Sequence, residues 1–207
     1  MTQKKTEFPE DFSFHQDKIL EAIKLKEFIK NRTVYITGEI NDDTALRVRY
    51  MLERIADKDV RDKISPDKRE PIILKIDSPG GCVYSTMSII STIESLKEQG
   101  FEIRTIALGM AMSGAFKVLI SGSKRFCQRN THLMCHQPSS FEFGYSTYMD
   151  KERNVEIIKA IWGRLKDIIV HYTSISYTEL DDITEKNKDW FFWPEEAIKY
   201  KIIDEII

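Results

Sequence analysis

The side chains in this sequence that could do nucleophilic chemistry gather at a few turns. Ser113 stands in Gly109-Met110-Ala111-Met112-Ser113-Gly114-Ala115, at the mouth of an apolar helix-like run. A helix N-terminus offers unpaired backbone N–H groups and the positive end of a dipole, a setting that stabilises an oxyanion. Capping serines are far commoner than nucleophilic ones, so on local sequence Ser113 reads first as a cap and second as a nucleophile. A nucleophilic serine needs a base, and the chain has four histidines. His15 lies in a polar arm, His132 begins an apolar run and His171 ends a long helix-like stretch. His136 follows an apolar run and precedes Gln137-Pro138, which puts it at a strand end. It is the base to choose, with a half-buried, backbone-bonded histidine as the other reading. The third member would be an acid that orients the imidazole. Asp189 lies just before Trp190-Phe191-Phe192-Trp193, an aromatic run expected to be largely buried and able to hold a carboxylate dry. Asp181, Asp182 and Glu185 compete with it nearby.

Ser78-Pro79-Gly80-Gly81 forms a second tight turn, where glycines let backbone N–H groups approach a ligand closely. There is no GxxxxGK[ST] and no GxGxxG, so the turns carry little phosphate-binding signal. The GxSxG elbow is absent too, and Ser–His–Asp is not the chain order of an ordinary α/β-hydrolase. No His/Cys/Asp/Glu group has metal-ligand spacing, so no metal is expected.

Strands and helices must bring these positions together. Thr33–Thr37, Ile72–Ile76, Ile103–Leu108 and Thr131–Cys135 are rich in β-branched or apolar residues and read as strands. Gly109 is expected to stop the third of them. Asn41-Asp42-Asp43 starts a helix with Ala45, Val48, Leu52 and Ile55 on one face. Val83, Met87, Ile90 and Ile93 mark a second helix, 113–121 a buried third, and 151–172 the longest. Residues 18–30 fit a short amphipathic helix, 57–71 a solvated loop or helix extension, and 202–207 a strand-like end. Alternating strands and helices predict βαβ units and a largely parallel sheet. In such sheets active sites gather at the carboxyl ends of strands, where both tight turns fall.

Composition narrows the class further. The 207 residues carry 31 Lys+Arg against 33 Asp+Glu and suit one domain. Without a basic excess, a dedicated nucleic-acid binder is excluded. The apolar runs are too short to span a bilayer, and the polar Met1–Lys5 start is not a signal peptide. Cys82, Cys127 and Cys135 are odd in number and form no CxxC pair. A disulfide framework and a four-thiolate zinc site are disfavoured, and a cytoplasmic chain with reduced thiols is expected.

Taken in order, Ser78-Pro79-Gly80-Gly81, the Gly109–Phe116 run, Lys124-Arg125-Phe126-Cys127, His136-Gln137-Pro138, and Asp189 ahead of Pro194-Glu195-Glu196-Ala197 resemble the Clp protease proteolytic subunit (ClpP) family. The resemblance runs from about Val34 to Ile206 and marks a divergent member. It implies an α/β crotonase-like fold of repeated ββα units. Residues 1–30 would be an arm and short helix, 31–207 the peptidase domain, and 151–172 a protruding handle helix. It implies a serine endopeptidase with Ser113 as nucleophile, His136 as base and Asp189 orienting it. Gly81 and Gly114 would supply oxyanion N–H groups. Peptide or unfolded protein would lie extended against Gly80, Cys82 and Val83 on one side and Gln137, Pro138 and Ser139 on the other. Seven-membered rings stacked in pairs are implied, with no cofactor on this chain. ATP would be used by a partner AAA+ unfoldase.

The sequence departs from the family pattern in places. Ser113 runs straight into Gly114-Ala115, Ser139-Ser140-Phe141 replaces a common glycine pair, and loop 57–71 is long. Lys75 and Ser95 stand where aromatics usually line the ATPase pocket. Two other readings share the fold: a catalytically idle ring subunit, and a crotonase-type enzyme acting on coenzyme A thioesters. The intact serine, histidine and aspartate weigh against the first, and the His-Gln-Pro block against the second.

Overall fold

A computed structural model describes residues 26–139, 147–187 and 189–207. The arm expected at 1–17 and the Ser140-Phe141 pair lie outside these residues. So does most of the helix expected at 18–30, of which 26–30 are helical.

β-Branched and apolar runs form the strands, and the strands form one sheet. The strands are β1 (Thr33–Thr37), β2 (Ile72–Ser78), β3 (Ile103–Met112), β4 (Lys124–Cys127), β5 (His132–His136), β6 (Asp189–Phe192) and β7 (Glu205–Ile206). The order β1-β2-β3-β4-β7 is parallel throughout, while β5 pairs with β3 and with β6. Only the β5–β6 pair is antiparallel among the described strands. The helices are α1 (Asp42–Arg61), α2 (Val83–Glu98), α3 (Gly114–Ile120), α4 (Tyr148–Tyr172), α5 (Tyr177–Asn187) and α6 (Pro194–Lys199). Among the described residues no helix is long and apolar enough to cross a membrane.

The longest strand differs from expectation in an instructive way. β3 does not stop at Gly109 but continues to Met112. It pairs with β4 through Arg104–Ala107 and with β5 through Met110–Met112. At Gly109 the ladder with β2 shifts register, from Ile76↔Ala107 to Ser78↔Ala111. There Asp77 Oδ1 accepts the Met110 N–H at 3.1 Å, and a Cβ on Gly109 would sit 2.9 Å from that oxygen. The glycine therefore bends the strand around a carboxylate and lets it serve two neighbours.

The core lies between the sheet and its helices. Ile36, Leu74 and Ile76 pack with Val48, Leu52 and Ile55 of α1 and with Ile89 and Ile93 of α2. α3 is buried along its whole length. α4 buries Trp162, Leu165, Ile168 and Ile169. It begins at Tyr148, ahead of the expected 151, because Thr147 and Asp150 form a capping box.

Short or half-exposed elements escaped the sequence pattern. β4, α5 and β6 were not expected. The run Trp190–Trp193 is only half buried, since a strand alternates its side chains. Trp190 and Phe192 face inward, while Phe191 and Trp193 are exposed and stack on the His132 ring. Ile202 and Ile203 are buried outside any strand, and only Glu205–Ile206 pairs, with β4. In the charged stretch 57–71, α1 continues to Arg61 and Pro66–Lys68 makes a single 3-10 turn.

That stretch also hides a charge. Asp59 is buried, and Arg32 Nη1 donates to its Oδ1 at 2.7 Å. The same guanidinium donates to the carbonyls of Glu70 and Pro71, tying α1 to the start of β2. Removing the arginine strands a desolvated carboxylate. Arg32→Met should lower the unfolding free energy by about 2–4 kcal/mol. Urea denaturation checks this, and a loss near zero would show that the pair carries no stability.

Candidate active site

Two backbone turns meet at the carboxyl edge of the sheet. β2 ends at Ser78 and enters the Pro79-Gly80-Gly81 turn, while β3 ends at Met112 and enters Ser113. The approach is close enough to require glycine. A Cβ on Gly80 would lie 2.6 Å from the Met112 carbonyl oxygen and 2.8 Å from Ser113 Cβ. Gly80 also has φ +94°, a region where L side chains are strained.

Ser113 itself has φ 51°. A non-glycine residue there costs on the order of 1–3 kcal/mol and persists only when its surroundings hold it. The Ser113 N–H donates to the Met134 carbonyl at 2.9 Å, which pins the turn to β5. Ser113 occupies the cap position of α3 but makes no side-chain capping bond. Its Oγ lies instead 2.7 Å from His136 Nε2. The hydroxyl is thus paired with the histidine and not with the helix N-terminus.

His136 closes β5, and Asp189 opens β6 directly opposite in the antiparallel register. His136 Nδ1 lies 3.2 Å from Asp189 Oδ1. A carboxylate can only accept, so it assigns the proton to Nδ1 and leaves Nε2 as an acceptor facing Ser113 Oγ. Among the competing acids, Asp181 is paired with Lys166 at 2.9 Å. The Asp189 side chain is 51% exposed, so it is not held dry as expected. The register with His136 positions it rather than aromatic burial.

Burial pushes the His136 imidazole below its ordinary pKa, and the nearby Lys117 charge adds to the drop. Asp189 opposes both. The net effect favours the neutral imidazole, the form able to accept a proton.

Backbone donors flank the serine. In the first turn Gly80 N–H donates to Ser78 Oγ and Cys82 N–H to the Ile40 carbonyl. The Gly81 N–H between them has no acceptor among the described residues. Gly114 N–H opens α3, where helix geometry leaves the first N–H groups unpaired. Gly114 also packs so closely on Thr86 Oγ1 that a Cβ would collide with it.

A small cavity adjoins Ser113 and His136, walled by Gly81, Val83, Thr86 and Pro138 among others. Gly80 is buried behind Ser113, and Cys82 is exposed at the start of α2. Gln137 is half-buried and Ser139 exposed, both in the segment after β5. Away from this site, Lys75 is half-buried with Nζ 5.6 Å from the Tyr35 ring centroid. Ser95 lines a depression of about 310 Å3 with Arg49, Glu53 and Ser88.

Sequence reasoning gave no role to Lys117, which the structure places on the same cavity wall. The signal was available: Lys117 is the one cation in the apolar run Ala115–Ile120.

A mixed α/β fold with a mostly parallel sheet, and a serine turn at its carboxyl edge, is of the ClpP/crotonase-like kind. Comparison with family models makes this specific: a model described as Clp protease matches residues 17–207, and the chain belongs to that family.

Two outcomes follow from the geometry. Gly80→Ala should abolish turnover with little loss of secondary structure, read by a peptide or ester assay beside circular dichroism; full activity would show that the turns need not touch. The acid limb of the kcat/KM profile should lie below pH ~6.5, the ordinary histidine value. Activity then persists into mild acid and falls only as pH drops through the lowered His136 pKa. An acid limb above that value would contradict the electrostatic reading.

Proposed function

We propose that this chain is a serine endopeptidase that cleaves peptides and unfolded proteins through an acyl-enzyme. The observation that carries the reading is the line Asp189–His136–Ser113, with separations of 3.2 and 2.7 Å. Ser113 Oγ attacks the scissile carbonyl while its proton passes to His136 Nε2. The Oγ–C bond forms, and the carbonyl oxygen becomes an oxyanion facing the Gly81 and Gly114 N–H groups. Collapse of this intermediate breaks the C–N bond, and His136 returns the proton to the leaving amine. Water then attacks the ester, giving its proton to His136, and the serine is regenerated. Asp189 holds the imidazole in the tautomer this cycle needs. No metal or cofactor enters the proposed cycle.

Substrate would lie extended beside Gly80, Cys82 and Val83 on one side and Gln137, Pro138 and Ser139 on the other, using backbone hydrogen bonds. The assembly proposed is the ring stack of the Clp protease family, two rings of seven, with α4 as the contact between rings. Val155 and Ile157 of α4 are 49% and 45% exposed, which leaves apolar side chains of the helix available to another subunit. Docking of an AAA+ unfoldase would meet polar walls at Lys75 and Ser95 rather than aromatic ones. A cytoplasmic location is proposed on the free thiols of Cys82, Cys127 and Cys135.

A fluorophosphonate probe tests the chemistry. It should label the wild type and not Ser113→Ala, and His136→Ala should lose peptide cleavage. A chain that never labels is an idle ring subunit, and thioester turnover without peptide cleavage would mark a crotonase-type enzyme. Mass in solution tests the assembly. Trp162 is buried and a charge there would damage the core, so the exposed pair is the cleaner probe. Val155→Glu with Ile157→Glu should reduce stacked rings to single rings or smaller species, and an unchanged mass would refute the α4 contact.

A further inference from the structure

The buried cation beside the serine has no carboxylate partner among the described residues. Lys117 follows Ser113 by four residues, one helical turn along α3, so the two share a face. The lysine is 2% exposed, and it lines the cavity that Ser113 and His136 also line. It donates one hydrogen bond, to the His136 carbonyl at 3.2 Å. An ammonium has three donors. No described carboxylate forms an ion pair with it, whereas Asp59, the other buried charged residue among those described, is paired with Arg32. A buried ammonium without a partner is costly, and groups perturbed in this way cluster at functional sites.

The position says which ligand. In peptide cleavage at a serine, the side chain of the acyl-side residue branches from the carbon next to the attacked carbonyl. A cavity shared by the nucleophile and the Gly81 and Gly114 donors is therefore where that side chain enters. The cavity is small and open on one side, and among the described residues Lys117 is the one lysine or arginine on its wall, with no carboxylate beside it there. A leucine or methionine side chain there would leave the ammonium desolvated and without a counter-charge.

We propose that Lys117 is a specificity-determining residue, and that this peptidase cleaves after acidic residues, whose carboxylate pairs with the Lys117 ammonium. The inference rests on the peptidase reading above and adds the substrate class to it. Burial depresses the Lys117 pKa, and a bound carboxylate opposes that drop, so substrate and lysine stabilise each other's charge. The neighbouring Cys135 does not fill this role, because burial raises its pKa and keeps the thiol neutral.

The test is kcat/KM of the assembled full-length protein on matched fluorogenic peptides that differ only in the acyl-side residue: aspartate, glutamate, asparagine or leucine. Fluorophosphonate labelling is run in parallel. Aspartate or glutamate should exceed leucine by roughly 100-fold, with asparagine far below aspartate. Lys117→Met, close in volume and apolar, should reverse the order. Labelling together with a leucine preference in the wild type overturns this inference and leaves the peptidase reading standing. An acid preference that survives Lys117→Met overturns it as well. If that variant does not fold, the wild-type ratio decides alone. Absence of labelling and of all cleavage overturns the peptidase reading, and this inference with it.

Discussion

The close approach of two backbone turns, Gly80-Gly81 after β2 and Met112–Gly114 after β3, is the constraint on which the rest depends. Parallel strands side by side bring their carboxyl ends together, but the usual spacing leaves room for side chains between the turns. Here that room is gone, and only a residue without Cβ fits at Gly80. The contact explains how Ser113 keeps a positive φ. Its N–H is held by β5, its Cβ side is packed on Gly80, and its hydroxyl is paired with His136. The bend at Gly109 belongs to the same construction, because β3 must leave β4 and reach β5 before it can present the serine turn to a strand that ends in histidine.

Much of this was legible in the sequence, for identifiable reasons. Long elements with a steady period, such as α1 and α4, announce themselves through burial on one face. Turns that demand glycine do the same through composition, which is why the Ser78–Gly81 and Gly109–Ala115 segments stood out. The order of serine, histidine and aspartate was readable because each sits at the edge of an apolar run. What was not readable depended on contacts between distant segments. Gly109 reads as a stop until Asp77 is placed against it. Asp59 reads as solvated until Arg32 reaches it across the start of β2. The four aromatic residues after Asp189 read as one buried block until strand alternation turns two of them outward.

Lys117 illustrates a different limit. Its placement follows from the helix, but its meaning does not follow from the helix alone. A lysine in an apolar run is usually a side chain whose charged end escapes to water. The walls around α3 prevent escape here, and the nearest acceptor is the carbonyl of the proposed base itself. The residue whose charge depresses the His136 pKa also lines the cavity. One side chain thus couples the protonation of the base to whatever occupies the adjoining space.

The β5–β6 pairing has a consequence for how this site tolerates change. His136 and Asp189 face each other because the register places them so, and the inward Trp190 and Phe192 lock that register. A slip of one residue would turn Asp189 to the opposite side of the strand. The site is therefore guarded by parity rather than by residue identity. Exchanging one large apolar side chain for another at positions 190 or 192 preserves the count, whereas a single insertion or deletion between 189 and 192 inverts it. Beyond Asp189, drift along this strand is open to apolar exchange at its inward positions and closed to changes of length.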